Sequence, residues 1–309
     1  MSEIFERDYN HSGWLEDLED LKRGLKGEIN SHKHENEEDS EQEKKESPYK
    51  EMIDKQKSPI MYWDRNNPEI SITFDDGYWA NRIRHILDTL KWSWIKATFF
   101  ILWECLRNTP DLWKEAAEDW HQICCHTFSH IYLSDKTDIT SINTWLNRNI
   151  KITERVNNVK SILWEEYFQK IKAEWWIWFP QKINSDVLLE TEILMREETI
   201  KKTLGEEYLQ NLKQNYPFFR FPWGCGARRS KNIAVLKKLW YLSIGWSDDF
   251  FRWKNHKHMS SEAMRTMDIP NWSIPLFHFK EEDYKYIDAY IENMKSKNRT
   301  SRVVSRIVK

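Results

Sequence analysis

The chain of 309 residues has only 8 glycines, where ordinary usage near 7% would give about 22. It has four cysteines, Cys105, Cys124, Cys125 and Cys225. None forms a C-x-x-C pair, which excludes a zinc ribbon and a thioredoxin-type motif. Cys124 and Cys125 are adjacent, so a disulfide between them would be strained, and all four are expected as reduced, small, partly buried side chains. No apolar run reaches 18 residues, so no transmembrane helix is encoded. No charge of one sign dominates, with 47 Lys plus Arg against 49 Asp plus Glu. That balance gives no overall pull toward nucleic acid or an anionic membrane. The start, MSEIFERDYN, lacks the basic residues and apolar run of a signal peptide. The written chain is therefore expected in the cytoplasm, or at the cell wall or outside the cell if the true start lies upstream.

What is present divides unevenly. Residues 1–58 are polar and charged, and the stretch HKHENEEDSEQEKKES has almost nothing to bury, so a disordered tail is expected. Within it, WLEDLEDLKRGL at 14–25 has helical spacing. From there on, apolar runs alternate with helical patterns. EISITF (69–74), ATFFIL (97–102), HQICCHT (121–127), FFRF (218–221), YLSIGW (241–246) and SIPLFHF (273–279) read as strands. Residues 80–91, 110–119 and 231–239 read as helices, the second opened by Pro110. Strands alternating with helices predict a parallel sheet, open or closed into a barrel, with chemistry at the strands' C-terminal ends. A long charged helical pattern at 131–210 reads as an insertion. The expected organisation is thus a domain over 59–290, interrupted at 131–210 and followed by a basic tail at 291–309.

Three segments carry ionisable groups at those strand ends. Thr73-Phe74-Asp75-Asp76-Gly77 places two carboxylates after an apolar strand, where one could hold a metal and the other accept a proton. An acidic turn reads equally well, since Asp-Gly is a common turn pair. His126-Thr127-Phe128-Ser129-His130 puts two histidines four apart, on one face of a helical turn, able to share a cation. Two surface histidines remain the alternative. Arg220, in FFRFPWG, could orient a carboxylate by bidentate hydrogen bonds, or sit on the surface beside a turn. His278 ends the last apolar strand, where a lone histidine is more often a core residue than a catalyst.

Together these segments resemble the polysaccharide deacetylases, carbohydrate esterase family four, over about residues 60–130 and 214–280. KATFFIL between the Asp-Asp and His-His stretches adds to the likeness. The resemblance implies a distorted parallel (β/α) barrel and a catalytic zinc or other divalent transition metal held by Asp76, His126 and His130. It implies Asp75 as base, Arg220 as the residue holding that base, and His278 as general acid. Pro222, Trp223, Gly224, Trp246 and Leu276 would line the substrate. The implied substrate is an acetylated polysaccharide such as peptidoglycan or a chitin-like oligomer, N-acetyl or O-acetyl. One motif departs: Asp249-Phe250-Phe251-Arg252-Trp253 has Arg252 where the family has the aspartate that tethers the acid histidine. A cation there would lower that histidine's pKa. Two other readings follow, a catalytically impaired carbohydrate-binding relative and a small-amide hydrolase on the same barrel.

The missing glycine has a counterpart. Tryptophan appears 18 times, and Trp94, Trp103, Trp120, Trp240 and Trp272 fall where the resemblance places glycine, at turns or strand entries. An excess matching a deficit suggests a UGA codon meaning glycine. Trp246 sits where the family has an aromatic and is expected to be genuine. Trp223 and Trp253 stay open.

Overall fold

The computed structural model describes residues 47–61, 66, 68–127, 130, 133, 185–249 and 261–308. The expected helix at 14–25, most of the 131–184 stretch, Arg252 and Trp253 lie outside them.

Seven parallel strands form one sheet in the order β5-β4-β3-β2-β1-β7-β6. They are β1 (Thr73–Asp76), β2 (Thr98–Ile101), β3 (Gln122–Cys125), β4 (Phe218–Phe219), β5 (Leu242–Ser243), β6 (Asp248–Asp249) and β7 (Pro275–His278). The first three and β7 fall inside the expected apolar runs or at their ends. Chain connectivity shows that this sheet curls. β5 and β6 are its two edges, yet only four residues separate Ser243 from Asp248. Those five steps span at most about 17 Å, whereas the edges of a flat seven-stranded sheet lie about 30 Å apart. The strands therefore bend toward closure as a distorted (β/α) barrel.

Helices cover the outside. α1 (Lys50–Lys55) precedes the sheet, and α2 (Ala80–Trp92) follows β1. α2 buries Ile83, Ile86, Leu87 and Leu90, the i, i+3, i+4, i+7 stripe of an amphipathic helix. α3 (Trp103–Asn108) and α4 (Pro110–Glu118) follow β2, and α7 (Ser230–Lys238) joins β4 to β5. Between β3 and β4 come α5 (Ser185–Leu204) and α6 (Glu206–Asn215), the described part of the expected insertion. Gly205 separates them at φ 96°, a conformation glycine adopts without steric cost. α8 (Ser261–Thr266), α9 (Glu281–Ser296) and α10 (Val304–Ile307) complete the chain. No helix among the described residues is long and apolar enough to cross a membrane.

The core is aromatic. Phe74 stacks on Phe99 at 5.1 Å, and Trp113 meets Phe99 and Phe279 edge-on at 5.6 and 5.9 Å. Both expected domain boundaries fall inside packed structure. Tyr49 and Ile53 are buried, and the Tyr49 hydroxyl donates to the Ser305 carbonyl. Gln56 donates to the Tyr241 carbonyl at 2.6 Å and accepts from Ser243 N–H at 3.0 Å, filling bonding sites along β5. At the other end Ile70 bridges Ser301 in parallel, and Val304, Ile307 and Val308 are buried. Residues 47–58 and 291–308 are thus parts of the fold rather than tails. Their few apolar residues are spaced too widely to register in a composition reading.

Candidate active site

β1 lies between β2 and β7, and it delivers two adjacent carboxylates to the C-terminal end of the sheet. A strand turns successive side chains to opposite sides, and here Asp75 and Asp76 meet different partners. Asp75 faces Arg220. The guanidinium is wholly buried and donates from Nη1 to Asp75 Oδ1 and to Thr73 Oγ1, both at 2.8 Å. Its Nη2 donates to the Gly245 carbonyl at 2.7 Å, and its Cζ lies 4.0 Å from the Phe100 ring centre. Thr73 Oγ1 in turn donates to the Pro275 carbonyl at 2.7 Å. One buried arginine therefore ties β1, β5 and β7 together and fixes one carboxylate oxygen. Charge-assisted bonds of this kind are short and strong.

Asp76 faces the histidines. His130 Nε2 lies 3.2 Å from Asp76 Oδ1, and His126 Nε2 lies 3.6 Å from it and 3.6 Å from Asp75 Oδ2. His126 Nδ1 is 2.9 Å from the Arg220 carbonyl. A carbonyl only accepts, so Nδ1 carries the proton and Nε2 presents its lone pair to the carboxylates. Burial, then neighbouring His130, pushes the His126 pKa down to about 3. Burial pushes His130 down to about 3 as well, with Lys280 assisting. Asp76 goes the other way, up to about 6, chiefly by burial. Its Oδ1 is enclosed and accepts no hydrogen bond among the described residues. The His126 Nε2 lone pair faces a buried carboxylate oxygen, an arrangement that a shared proton or a bound cation relieves. One donor atom from each of Asp76, His126 and His130 lies within 4.8 Å of the others. The donor set fits a divalent cation of the zinc class, with His126 oriented from behind by a carbonyl as ligating histidines are.

The backbone here departs from the helical turn expected for the His-x-x-x-His spacing. Asp76, Thr127 and His130 have φ of 79°, 66° and 57°, in the left-handed region, so a strand-to-loop bend brings the rings together rather than a helix face. Thr127 Oγ1 accepts from the His130 N–H at 3.1 Å. Non-glycine residues in this region are strained and cluster at functional sites. Gly77 follows at φ 98°, and a Cβ there would sit 2.8 Å from the Trp113 ring.

His278 is the β7 register neighbour of Asp75. Burial, then Lys280, then His126 and His130 hold its pKa well below the ordinary value. Pro222–Gly224 form a single 3₁₀ turn after β4, and the Trp223 ring lies 4.0 Å from His130. Gly224 has φ 68°, with space for less than a side chain above Trp246. Gly224 and Trp246 line a cavity of 380 Å³ with Met61, Phe221 and Arg229. Leu276 is buried in β7, paired with Thr73. Sequence reasoning missed Thr73 and Lys280. Thr73 is the hydroxyl two residues before the carboxylate it helps orient, and Lys280 follows His278 by two. Neither spacing has a chemical signature without the register.

The fold and site define an α/β barrel protein with a buried Asp-His-His cluster able to hold a cation, beside an arginine-anchored carboxylate. The family model of polysaccharide deacetylases matches residues 64–165. A peptidoglycan-N-acetylglucosamine deacetylase of Bacillus cereus is 36% identical over 94 residues, 30% of this chain and 33% of that enzyme. A chitooligosaccharide deacetylase of Rhizobium leguminosarum bv. trifolii is 39% identical over 67 residues, 22% of this chain and 30% of the other. The matched segments thus span about a third of those relatives. Among solved structures, Bacillus subtilis PdaA, a family 4 carbohydrate esterase, superposes with a TM-score of 0.54 at 18% identity, covering 83% of this chain and 87% of that one. A family 4 pseudoenzyme from Bacillus anthracis superposes at 0.57 with 14% identity, covering 82% and 70%. Residues 64–165 are thus similar to the polysaccharide deacetylases, and most of the chain shares the fold of the family 4 carbohydrate esterase PdaA.

Proposed function

We propose that this chain is a metal-dependent deacetylase that removes N-acetyl groups from an amino-sugar polymer, with peptidoglycan the leading substrate and a chitin-like oligomer next. The observation that carries this reading is the pairing of two carboxylates with separate partners, Asp75 on Arg220 and Asp76 on His126 and His130. The pseudoenzyme above shares the fold, so the fold alone argues nothing about turnover. The assembled Asp75, Asp76, His126, His130, Arg220 and His278 support an active enzyme over an impaired carbohydrate binder.

Asp76, His126 and His130 would hold the cation, zinc by donor type, which when bound polarises an acetyl carbonyl and acidifies water. Asp75 takes the proton from the attacking water; Arg220 keeps it in place and ionised for that task. A backbone N–H of the turn after Arg220 stabilises the developing oxyanion. His278 protonates the departing amine. Because it is held neutral at rest, it must first receive a proton, and Asp75, its neighbour across the β1–β7 register, carries the one removed from water. Acetate and a free amine leave. Trp223, Trp246 and Pro222 form the wall against which the sugar packs.

Acetate release from purified peptidoglycan and from N-acetylglucosamine oligomers, measured with metal content, tests the reading. The wild-type chain should release acetate, and His126→Ala should lose both stoichiometric metal and activity. Full metal in His126→Ala would refute the ligand assignment, and no acetate from either polymer by the metal-loaded wild type would refute the activity.

A further inference from the structure

Ten non-glycine residues among those described have positive φ. Three belong to the site, Asp76, Thr127 and His130. One is Asn298, a residue type that tolerates this conformation. The other six are all tryptophan: Trp79, Trp94, Trp120, Trp223, Trp240 and Trp272, with φ between 50° and 65°.

Three of these six end helices in one shared pattern. Trp94 N–H donates to the Lys91 carbonyl and Ile95 N–H to Leu90. Trp120 N–H donates to Ala117 and His121 N–H to Ala116. Trp240 N–H donates to Lys237 and Tyr241 N–H to Leu236. These paired 5→2 and 6→1 bonds are the Schellman cap, whose left-handed residue is usually glycine and sometimes asparagine. A fourth such cap among the described residues, on α9, has Asn298 in that place, with Asn298 N–H on Lys295 and Arg299 N–H on Met294. At Trp94 and Trp120 the ring is exposed and gains no packing there, while Trp240 is partly buried against the core.

Exposure points the same way. The large hydrophobic residues exposed among those described are Trp79, Trp92, Trp94 and Trp120, at 50%, 84%, 92% and 81%. No Phe, Leu, Ile or Tyr joins them. Trp113 behaves differently: it is wholly buried, has helical backbone, and its Nε1 donates to the Cys105 carbonyl at 3.1 Å. Trp246 packs against Gly224. A sugar-stacking role does not explain the odd ones. Trp94, Trp120, Trp240 and Trp272 precede β2, β3, β5 and β7, at the end of the sheet opposite the cation site.

We propose that residues 79, 94, 120, 240 and 272 are glycine in the protein its own cell makes, encoded by UGA in a code that reads that codon as glycine. Trp113 and Trp246 are genuine tryptophans. Trp223 is set apart, since its ring rests on His130 at 4.0 Å. Trp103, expected in this group from its place in the sequence, begins α3 with no positive φ, so the backbone makes no demand for glycine there. Trp79 bears on the site itself. It is the N-cap residue of α2, two residues after Gly77 and half exposed, with Arg82 4.5 Å from its ring, and glycine there removes an indole from the loop that follows Asp76.

The test reads the gene and the native protein. Codons 79, 94, 120, 240 and 272 should be UGA, codons 113 and 246 UGG, and tryptic peptides from the source cells should carry glycine masses at the five positions. UGG at 94, 120 and 240, or tryptophan masses there, overturns the proposal. Independently, a recombinant chain with Trp79→Gly, Trp94→Gly, Trp120→Gly, Trp240→Gly and Trp272→Gly should melt higher than the all-tryptophan chain, by on the order of 10 °C. Trp113→Gly should melt lower. An unchanged or lowered melting point in the five-glycine chain counts against the assignment whatever the codons say of other positions.

Discussion

Asp75 and His121 are two buried titratable residues whose surroundings set opposite tasks. Asp75 has one oxygen fixed by Arg220 and the other 3.6 Å from His126 Nε2. Asp75→Asn keeps the shape and leaves Asp76, His126 and His130 untouched. Metal content should remain stoichiometric while kcat falls by about 10²–10⁴-fold, the usual contribution of a positioned base. His121 lies outside the site, its Nδ1 accepting the Ala97 N–H at 3.0 Å. Burial is the main cause lowering its pKa from 6.5 to about 4, with Lys96 assisting. The folded state therefore resists the proton that the unfolded state accepts. Stability from this residue is complete above pH 6.5 and is lost as pH falls toward 4, by on the order of 3 kcal/mol. His121→Asn, which keeps an acceptor but cannot titrate, should flatten the fall of unfolding free energy across that window relative to wild type. An unchanged slope would show that other groups set it. At this scale the sequence was most legible for the cluster of Asp76, His126 and His130, which the structure brings within 4.8 Å of one another. It was least legible for Thr73, an ordinary hydroxyl whose hydrogen bond from Arg220 comes from register.

Among the elements, the insertion helix α5 shows what pattern reading cannot reach. It carries Arg196, wholly buried, whose Nε donates to the Ile101 carbonyl at 2.8 Å and whose Nη2 lies 3.5 Å from the Cys124 carbonyl. Those carbonyls sit at the ends of β2 and β3, the second two residues before His126. Nη1 has no hydrogen-bond partner among the described residues, and burial lowers the Arg196 pKa. A buried, half-satisfied cation is costly. Arg196→Met should therefore be tolerated, since it keeps volume and removes the charge. Arg196→Ala should cost about 2–4 kcal/mol more than Arg196→Met, because both lose the donor to the Ile101 carbonyl but only Ala opens a cavity. Chemical denaturation of both variants checks this, and equal losses would contradict the packing account. α5 was legible as a helix from its length and charge alone. Its anchoring was not, because an arginine in a charged helix reads as a solvated face.

For the whole molecule, the strand–helix alternation gave the parallel sheet and six strands nearly in place, while β6 is two aspartates with no apolar signal. The ends were misread for a related reason. Between Ser47 and Ser58 only a few side chains do the packing, above all Tyr49 and Ile53, each burial being worth roughly 1.5–3 kcal/mol. A chain starting at Ser58 should melt several degrees or more below one starting at Ser47, at about 2–4 °C per kcal/mol. Equal melting temperatures would show that Tyr49, Ile53 and Gln56 add nothing to the barrel.

The β1–β7 pairing also orders events during synthesis. Asp76, His126 and His130 all leave the ribosome by residue 130, on strands that are neighbours or next neighbours in the sheet. Arg220 and His278 arrive far later, and β7 pairs with β1 across some two hundred residues, the kind of long-range closure that forms slowly. On the proposed reading, a nascent or truncated chain would hold every cation ligand while lacking both the anchor for the base and the residue that returns the proton. Metal occupancy in such a chain would then report the first half of the barrel, and acetate release would report that the last strand has been threaded home.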